Sequence, residues 1–506
     1  MSVKVYAAAI IGIEAIPVEV ETDITSGLHS FSIVGLPDVS VKESKERISA
    51  AMKNSSVHPP YKHNLRVIIN LAPADLKKEG PMYDLPIALS FLLASEQIKF
   101  DPCLKMFAGE MSLDGQIRSI TGILPLVLMA RDRGFKTVFI PCDNFGEASL
   151  VHGIEIIGVK TLTELIKHLE GISLIKNEKS KNRLSKTSSD LLDMSLIVGQ
   201  ESLKRALEIA AAGNHHFLMN GLPGSGKTLL AKALPSILPD LTNDEIIDIT
   251  RIYSVAGLLN KNEQFIGDRP IRSPHHSASY VALVGGGNNV RPGEITLAHQ
   301  GVLFLDELPE FSRNALENLR EPLESGEITI ARAKESVTFP ARFMLVAAMN
   351  PCPCGFFGDD KKECVCTFSQ IARYKKRISG PFLDRIDIQV EVPKVDLDLL
   401  VKNEINEKSS TIKARVEKAR VRQRDRFKGT KTRTNNEMNL IEIKSHCSLS
   451  KDNEVLLLNI AKKYDLSARG YHKVLKLART IADLAEAEEI NHQHLLEAVQ
   501  YRVKIE

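Results

Sequence analysis

The eight residues Gly221, Leu222, Pro223, Gly224, Ser225, Gly226, Lys227 and Thr228 constrain this 506-residue chain more than any other stretch. They read G-x-x-x-x-G-K-T, between a strand-like HFLMN and a helix-like TLLAKAL. A strand that breaks into a glycine-rich turn and restarts as a helix turns successive backbone N–H groups inward around anionic oxygens. The lysine neutralises phosphate charge and the threonine hydroxyl is placed to hold Mg²⁺. The stretch therefore predicts an α/β fold in which a parallel sheet carries a nucleoside-triphosphate site.

Two more apolar runs end in polar residues suited to the same site. GVLFLDELPEF predicts a buried strand ending in Asp306 and Glu307. Strand ends of a parallel sheet are where ligands sit. There Asp306 would hold Mg²⁺ and Glu307 would orient or activate a water; a helix-capping acidic pair is the bland alternative. FMLVAAMN ends in Asn350, which either reaches the γ-phosphate region or serves as a turn residue.

Around this kernel the chain reads as an α/β multidomain protein. It is 43% hydrophobic and 25% charged with a net charge of +3, an ordinary globular balance that selects no partner. The absence of tryptophan disfavours an aromatic stacking surface. The first residues read as strands, not as a secretory leader. No apolar run approaches the ~20 residues of a membrane span. Seven cysteines without a disulfide-like spread suggest a reducing, cytoplasmic setting. Residues 1–172 alternate strand and helix signals: LRVIINLAP is a strand, and DLPIALSFLLASEQI is a buried helix over 84–98 with Asp84 as N-cap. Residues 173–192 are a polar linker, 193–395 the nucleotide unit, 396–438 a basic helical connector and 439–506 a helical C-terminal domain.

The order of P-loop, LFLDE, LVAAMN, GPFLDRIDI and SARGYHKVLKLARTIADL resembles that of AAA+ ATPases. More closely, the chain resembles the magnesium-chelatase-like subgroup and within it the ComM/YifB family. The block RPIRSPHHSASYVALVGGGNNVRPGEITLAHQGVLFLDELPEF carries most of that likeness, which runs from about residue 3 to 500. The resemblance implies ATP and Mg²⁺ as cofactors, a C-terminal helical lid, and a homo-oligomeric ring, most simply a hexamer. It places Asn350 at the sensor-1 position, Arg385 at the arginine finger that enters a neighbour's site, and Arg469 at sensor 2. For each arginine a surface salt bridge is the alternative. It implies DNA as partner and a helicase-like, branch-migrating activity in recombination and competence. A chelatase-type remodeller and a protein unfoldase are the rival readings.

Three further stretches bear on substrate. Between Thr228 and Asp306 lie 77 residues, more than a crossover needs, and within SPHHSASYVALVGGGNNVRPGEI the three glycines and the NNVRPG stretch read as irregular. It resembles a pore-directed insertion of this clade. EITIARAKESVTFPAR alternates as a β-hairpin with Arg332 and Lys334 at its tip, a natural contact for a phosphate backbone or a merely solvated turn. Residues 411–433 hold ten Lys/Arg against two Asp/Glu, either solvated helical charge or a nucleic-acid contact.

The first 172 residues resemble a Lon-protease-like domain of the ribosomal-S5-like fold. Met82 and Pro125 occupy the matching blocks where a Ser–Lys dyad would stand, so peptidase activity is not expected. Cys352, Cys354, Cys364 and Cys366 form two close pairs across a Gly/Asp/Lys-rich loop just after Asn350. They can supply four thiolates to a structural Zn²⁺; free thiols and a disulfide are the other readings.

Overall fold

In unit 1 the strands carry the period-two pattern that one buried face demands. Leu65–Ala72 buries Val67, Ile69 and Leu71 and exposes the residues between them more. The computed structural model describes residues 3–62, 64–176, 191–259, 264–287, 290–331, 336–394 and 406–502. Its contacts divide the chain into two units: 1–184 with 243–266, and 185–242 with 267–506.

The first unit is built on a seven-stranded mixed sheet. Its strands are β1 (Val3–Ile11), β2 (Glu14–Ser26), β3 (Ser30–Val34), β4 (Leu65–Ala72), β5 (Lys105–Phe107), β6 (Thr137–Pro141) and β7 (Glu155–Val159). Their order is β3-β4-β2-β1-β5-β6-β7. Strands β1, β2 and β4 pair antiparallel, and the outer pairs are parallel. The helices Val39–Asn54, Asp84–Ala94 and Ile123–Asp132 share its core. Met82 is buried in a single turn, Pro81–Tyr83, and Pro125 in the first turn of its helix, so both blocks are packing elements.

Asp84 departs from expectation. The helix it begins ends at Ala94, not 98, and the N-cap position is Tyr83, without a side-chain cap. The fully buried Asp84 carboxylate instead accepts from Ser44, from Arg47 Nε (2.7 Å) and Nη2 (2.9 Å), and from the Met111 N–H at 3.1 Å. Burial drives the Asp84 pKa up, while Arg47 and Ser44 work against that. A charge removed from water must be paired, and that need outweighs a solvent-accessible cap bond.

The helix Asn243–Ala256 also belongs to this unit, although sequence places it between the P-loop and Asp306. Part of the 77-residue stretch between Thr228 and Asp306 thus groups with the first unit by its contacts.

The second unit holds a five-stranded, all-parallel sheet. It comprises β8 (Phe217–Gly221), β9 (Ile271–Arg272), β10 (Val302–Leu305), β13 (Met344–Met349) and β14 (Ile388–Val392), in the order β9-β10-β13-β8-β14. Between β10 and β13 stands an antiparallel hairpin, β11 (Glu327–Ala331) and β12 (Ser336–Pro340). Central strands buried on both faces read as continuous apolar runs, as VLFL and MLVAAM do. The helices Glu201–Gly213, Ser409–Arg426, Ala468–Leu484 and His492–Gln500 share one apolar core with this sheet, running from Met194 to Val499.

One further reading changes here. The glycines expected to be irregular follow a helix, Tyr280–Val284, capped by Ser279 Oγ, and form a two-residue ladder joining Gly285–Gly286 to Arg291–Pro292. Gly285 lies at φ +103°, and a Cβ there would meet the Arg291 carbonyl oxygen at 2.5 Å, so the glycines permit the ladder. In Ser409–Arg426 the basic residues are engaged within the unit. Lys413 pairs with Asp240, Arg415 with Glu208 and Glu407, Lys418 with Glu486, Arg424 with Glu417 and Arg426 with Asp483. Arg420 and Arg422 donate to the carbonyls of Ala211 and Ala487. These pairs tie the helix to the rest of the unit.

Candidate active site

Strand β8 delivers the chain into the glycine-rich turn, and the helix Lys227–Ala233 leaves it. Gly224 and Gly226 have φ of +77° and +90°, which ordinary side chains resist, and no atom would lie within 4 Å of a Cβ on Gly224. Gly221 sits where a Cβ would meet the Val392 carbonyl oxygen at 2.6 Å. The loop is braced from outside by Gln200, whose Nε2 donates to the Ser225 carbonyl at 2.7 Å. Sequence reasoning did not single out Gln200; its contact spans 25 residues and leaves no local pattern.

Four of the expected residues converge. Lys227 Nζ donates to the carbonyls of Gly221 (2.6 Å) and Leu222 (2.9 Å) and to Asn350 Oδ1 at 3.2 Å. Burial lowers its pKa, and the charge of Asp306 opposes that. Thr228 Oγ1 donates to Asp306 Oδ2 at 2.9 Å, so hydroxyl and carboxylate form a small oxygen-donor pair. These two oxygens suit a hard divalent cation such as Mg²⁺. The Ser225 hydroxyl is wholly buried and has no hydrogen-bond partner among the described residues, a donor available to a phosphate oxygen. Residues 221–228 with Thr228 and Asp306 thus fit a nucleotide phosphate chain with its metal.

Glu307 stands beside this group in a left-handed conformation (φ +53°), with a solvent-facing carboxylate 3.3 Å from His276 Nδ1. His276 was missed as a site residue, though the His-His pair of SPHHS was the available signal. Its ring lies 4.1 Å, centroid to centroid, from that of His275.

Arg385 and Arg469 lie apart from this cluster. Both guanidinium groups meet Glu324 Oε1, Arg385 at 2.9 Å. Arg385 also donates to the carbonyls of Arg320 (3.2 Å) and Pro381 (2.6 Å). The two arginines line a cavity of about 740 Å³ with Glu324, His472 and Lys473. Below it, Asp387 is buried, 2.7 Å from Lys473 Nζ, and accepts the His216 N–H at 2.8 Å. Lys473 is pushed down to about 8 by burial, with Asp387 opposing.

The four cysteines come together. Their sulfur atoms all lie within 4.8 Å of one another, and Cys352, Cys354 and Cys364 are separated by 3.4, 3.6 and 3.7 Å. Four sulfurs about 2.3 Å from a tetrahedral zinc stand about 3.8 Å apart, so the cluster has the required size. The Phe357 N–H donates to Cys352 Sγ at 3.3 Å. The Phe356 N–H, with burial opposing, brings Cys354 down to about 6. Arg332 and Lys334 lie outside the described residues; the strands on either side pair from Glu327↔Pro340 to Ala331↔Ser336, which is the expected hairpin. Among the described residues no helix is long and apolar enough to cross a membrane.

Three family models match the chain: subunit ChlI of Mg-chelatase over residues 20–144, magnesium chelatase, subunit ChlI over 193–400, and its C-terminal part over 406–502. The uncharacterized protein YifB of Escherichia coli (strain K12) is 42% identical over 500 residues, 98% of this chain and 96% of that protein. The competence protein ComM of Haemophilus influenzae is 41% identical over 508 residues, 99% of this chain and 97% of that protein. Lon protease 2 of Bacillus subtilis (strain 168) is 31% identical over 130 residues, 25% of this chain and 22% of that protein.

Proposed function

The chain belongs to the magnesium-chelatase-like family of ComM and YifB, and on that premise we propose that it is a ring-forming AAA+ ATPase that drives DNA movement in homologous recombination. The observation carrying the ATPase reading is the convergence of Lys227, Thr228, Asp306 and Asn350 at the ends of three adjacent parallel strands. When bound, ATP and Mg²⁺ supply the scissile phosphoanhydride and its charge compensation. Of the chain's own residues, the loop amides of 221–228 bind phosphate oxygens and Lys227 neutralises them. Thr228 and Asp306 hold the metal, Asn350 positions the γ-phosphate, and the Glu307 carboxylate orients a water and takes its proton.

Arg385 and Arg469 share the Glu324 carboxylate; Arg385 is assigned to the finger that enters a neighbouring subunit's site, and Arg469 to the sensor-2 contact with the γ-phosphate. Planar, permanently charged guanidinium groups stabilise charge developing on phosphoryl oxygens, and a finger supplied in trans ties turnover to a ring, here taken as a hexamer. The DNA contact is assigned to the hairpin tip, Arg332 and Lys334, and the setting to integration of incoming DNA, following the name of the relative ComM. The first 172 residues are assigned to a Lon-like, S5-like domain without a dyad, and Ala468–Leu484 to the lid that carries sensor 2. The four cysteines are assigned to a structural zinc, which metal analysis of the purified protein tests directly.

Lys227→Ala is expected to abolish nucleotide binding. Glu307→Gln and Arg385→Ala should bind ATP without turning it over. A Holliday-junction or three-strand substrate, incubated with ATP, should be bound and branch-migrated; intact ATPase activity without either outcome refutes the DNA reading. The family models favour one rival, a remodeller of a metal-insertion partner. ATPase stimulation by DNA separates the two.

A further inference from the structure

The cysteine loop touches the nucleotide loop itself. Gly355, between the two cysteine pairs, lies at φ +88°, and a Cβ built on it would fall 2.5 Å from Pro223 Cγ and 2.9 Å from Cδ. Pro223 is the third residue of the phosphate-binding loop. Its ring therefore packs on the bare Gly355 backbone, with room for a hydrogen atom and nothing larger. A bond from the Gly355 N–H to the Cys352 carbonyl, 3.0 Å, closes the turn that presents this surface.

The cysteine loop is tied to the same phosphate loop by a second route. Lys394 Nζ meets Asp359 Oδ2 at 2.5 Å, two residues beyond the end of β14. The last residue of β14, Val392, is in register with Gly221 and crowds it. Pro223 is thus backed by the cysteine loop itself, and Gly221 by a strand whose continuation, Lys394, that loop holds.

What holds the cysteine loop is the question. From 351 to 367 only Pro351, Cys352 and Gly355 are buried, while Val365 is largely solvent-facing. So little apolar burial cannot offset the entropy of ordering such a loop. Four sulfurs at metal-ligand spacing can, because the binding free energy of a structural zinc acts as folding free energy.

We propose that the Cys352–Cys354–Cys364–Cys366 centre is a metal-dependent brace on the nucleotide site: zinc orders the loop, Gly355 seats Pro223, and phosphate affinity follows metal occupancy. This rests on both the zinc and the nucleotide readings above. A phosphate loop that must be ordered on binding loses affinity to the cost of that ordering, and a loop held in place beforehand does not.

The experiment uses the full chain. Zinc content is measured by elemental analysis, and binding of a fluorescent ATP analogue is titrated in excess Mg²⁺ before zinc stripping, after it, and after re-addition of zinc sulfate. Stripping should weaken binding by roughly tenfold, and re-addition should restore it. Gly355→Ala should retain zinc at the parental level and still lose roughly tenfold in affinity, because the added methyl unseats Pro223. Circular dichroism melting checks that each form is folded. A parent protein without zinc overturns the zinc reading and this proposal with it. Zinc present, with affinity unchanged by stripping or by Gly355→Ala, overturns the brace and leaves the zinc reading standing. Failure of the zinc-loaded parent to bind the analogue overturns the nucleotide reading instead.

Discussion

Glu324 is the residue whose removal should speed this protein up. If Arg385 serves a neighbour's phosphate and Arg469 the γ-phosphate, both must first leave the carboxylate they share, and Glu324→Gln removes that competing charge while keeping its shape. The Arg385 pair measures 2.9 Å, with side-chain exposures of 8% for the arginine and 42% for the glutamate. Unit charges about 4 Å apart at an effective dielectric of ~20 attract by ~4 kcal/mol. Solvent reaches nearly half of Glu324, so the net value falls to about 1 kcal/mol. The Arg469 pair, exposed on both sides (45% and 42%), adds at most ~0.5 kcal/mol. Together that is roughly a tenfold shift in the equilibrium between held and released arginines. We expect Glu324→Gln to raise kcat/KM for ATP by roughly five- to tenfold in the assembled protein, and Arg385→Ala/Glu324→Gln to be as inactive as Arg385→Ala. Steady-state phosphate release across a range of protein concentrations, with sedimentation to follow assembly, reads both. Unchanged turnover in a folded, assembled Glu324→Gln protein refutes the competition. A fall to the level of Arg385→Ala refutes it too, since Glu324 would then be positioning the arginine.

Other consequences are as direct. Lys473→Met strands the buried Asp387 carboxylate and should cost about 3–5 kcal/mol, seen as a lower melting temperature. Lys473→Met with Asp387→Asn should recover part of that, because the substituted amide keeps an acceptor for the His216 N–H and carries no charge. Burial pushes His215 down to about 3 and His216 to about 4, with Asp387 opposing in each case. Above the ordinary histidine value of 6.5 neither the folded nor the unfolded chain is protonated there, and nothing changes. As pH falls below it the unfolded chain takes up protons that the folded chain refuses, so stability should drop between pH 6.5 and about 4, by up to about 1.4 kcal/mol per pH unit for each histidine. A melting temperature that stays flat across that window contradicts the burial argument. Arg332→Ala with Lys334→Ala should weaken DNA binding and make its dependence on log salt shallower by about 1.8. An unchanged slope removes the hairpin tip from the interface.

What was legible in the sequence was local. The phosphate loop could be read because its backbone needs glycine at Gly224 and Gly226 and a lysine one residue later, all within eight positions. Asp306 and Asn350 could be read because a buried parallel strand is a continuous apolar run, and a polar residue at its end is conspicuous. The four cysteines announced themselves by spacing. Where a side chain answered a distant partner, the local reading went astray. Asp84 looked like a cap and became the buried counterpart of Arg47, 37 residues earlier. The basic helix showed only its charge in the sequence, whereas in the fold Arg415 answers Glu208 across 207 residues and Arg426 answers Asp483 across 57.

By itself, then, the sequence determined the chemistry available: a glycine-rich loop closing on a lysine and a threonine, acidic and amide residues at strand ends, four closely spaced cysteines, and the arginines of LDRID and SARGYH. Only the tertiary structure decided how these are grouped. It set Lys227, Thr228, Asp306 and Asn350 in one cluster, gave Arg385 and Arg469 to Glu324, and laid the cysteine loop on Pro223. The reason is physical: backbone conformation and apolar periodicity are encoded within a turn or a strand, whereas burial of charge is paid for by partners that only the packed chain brings within hydrogen-bonding distance.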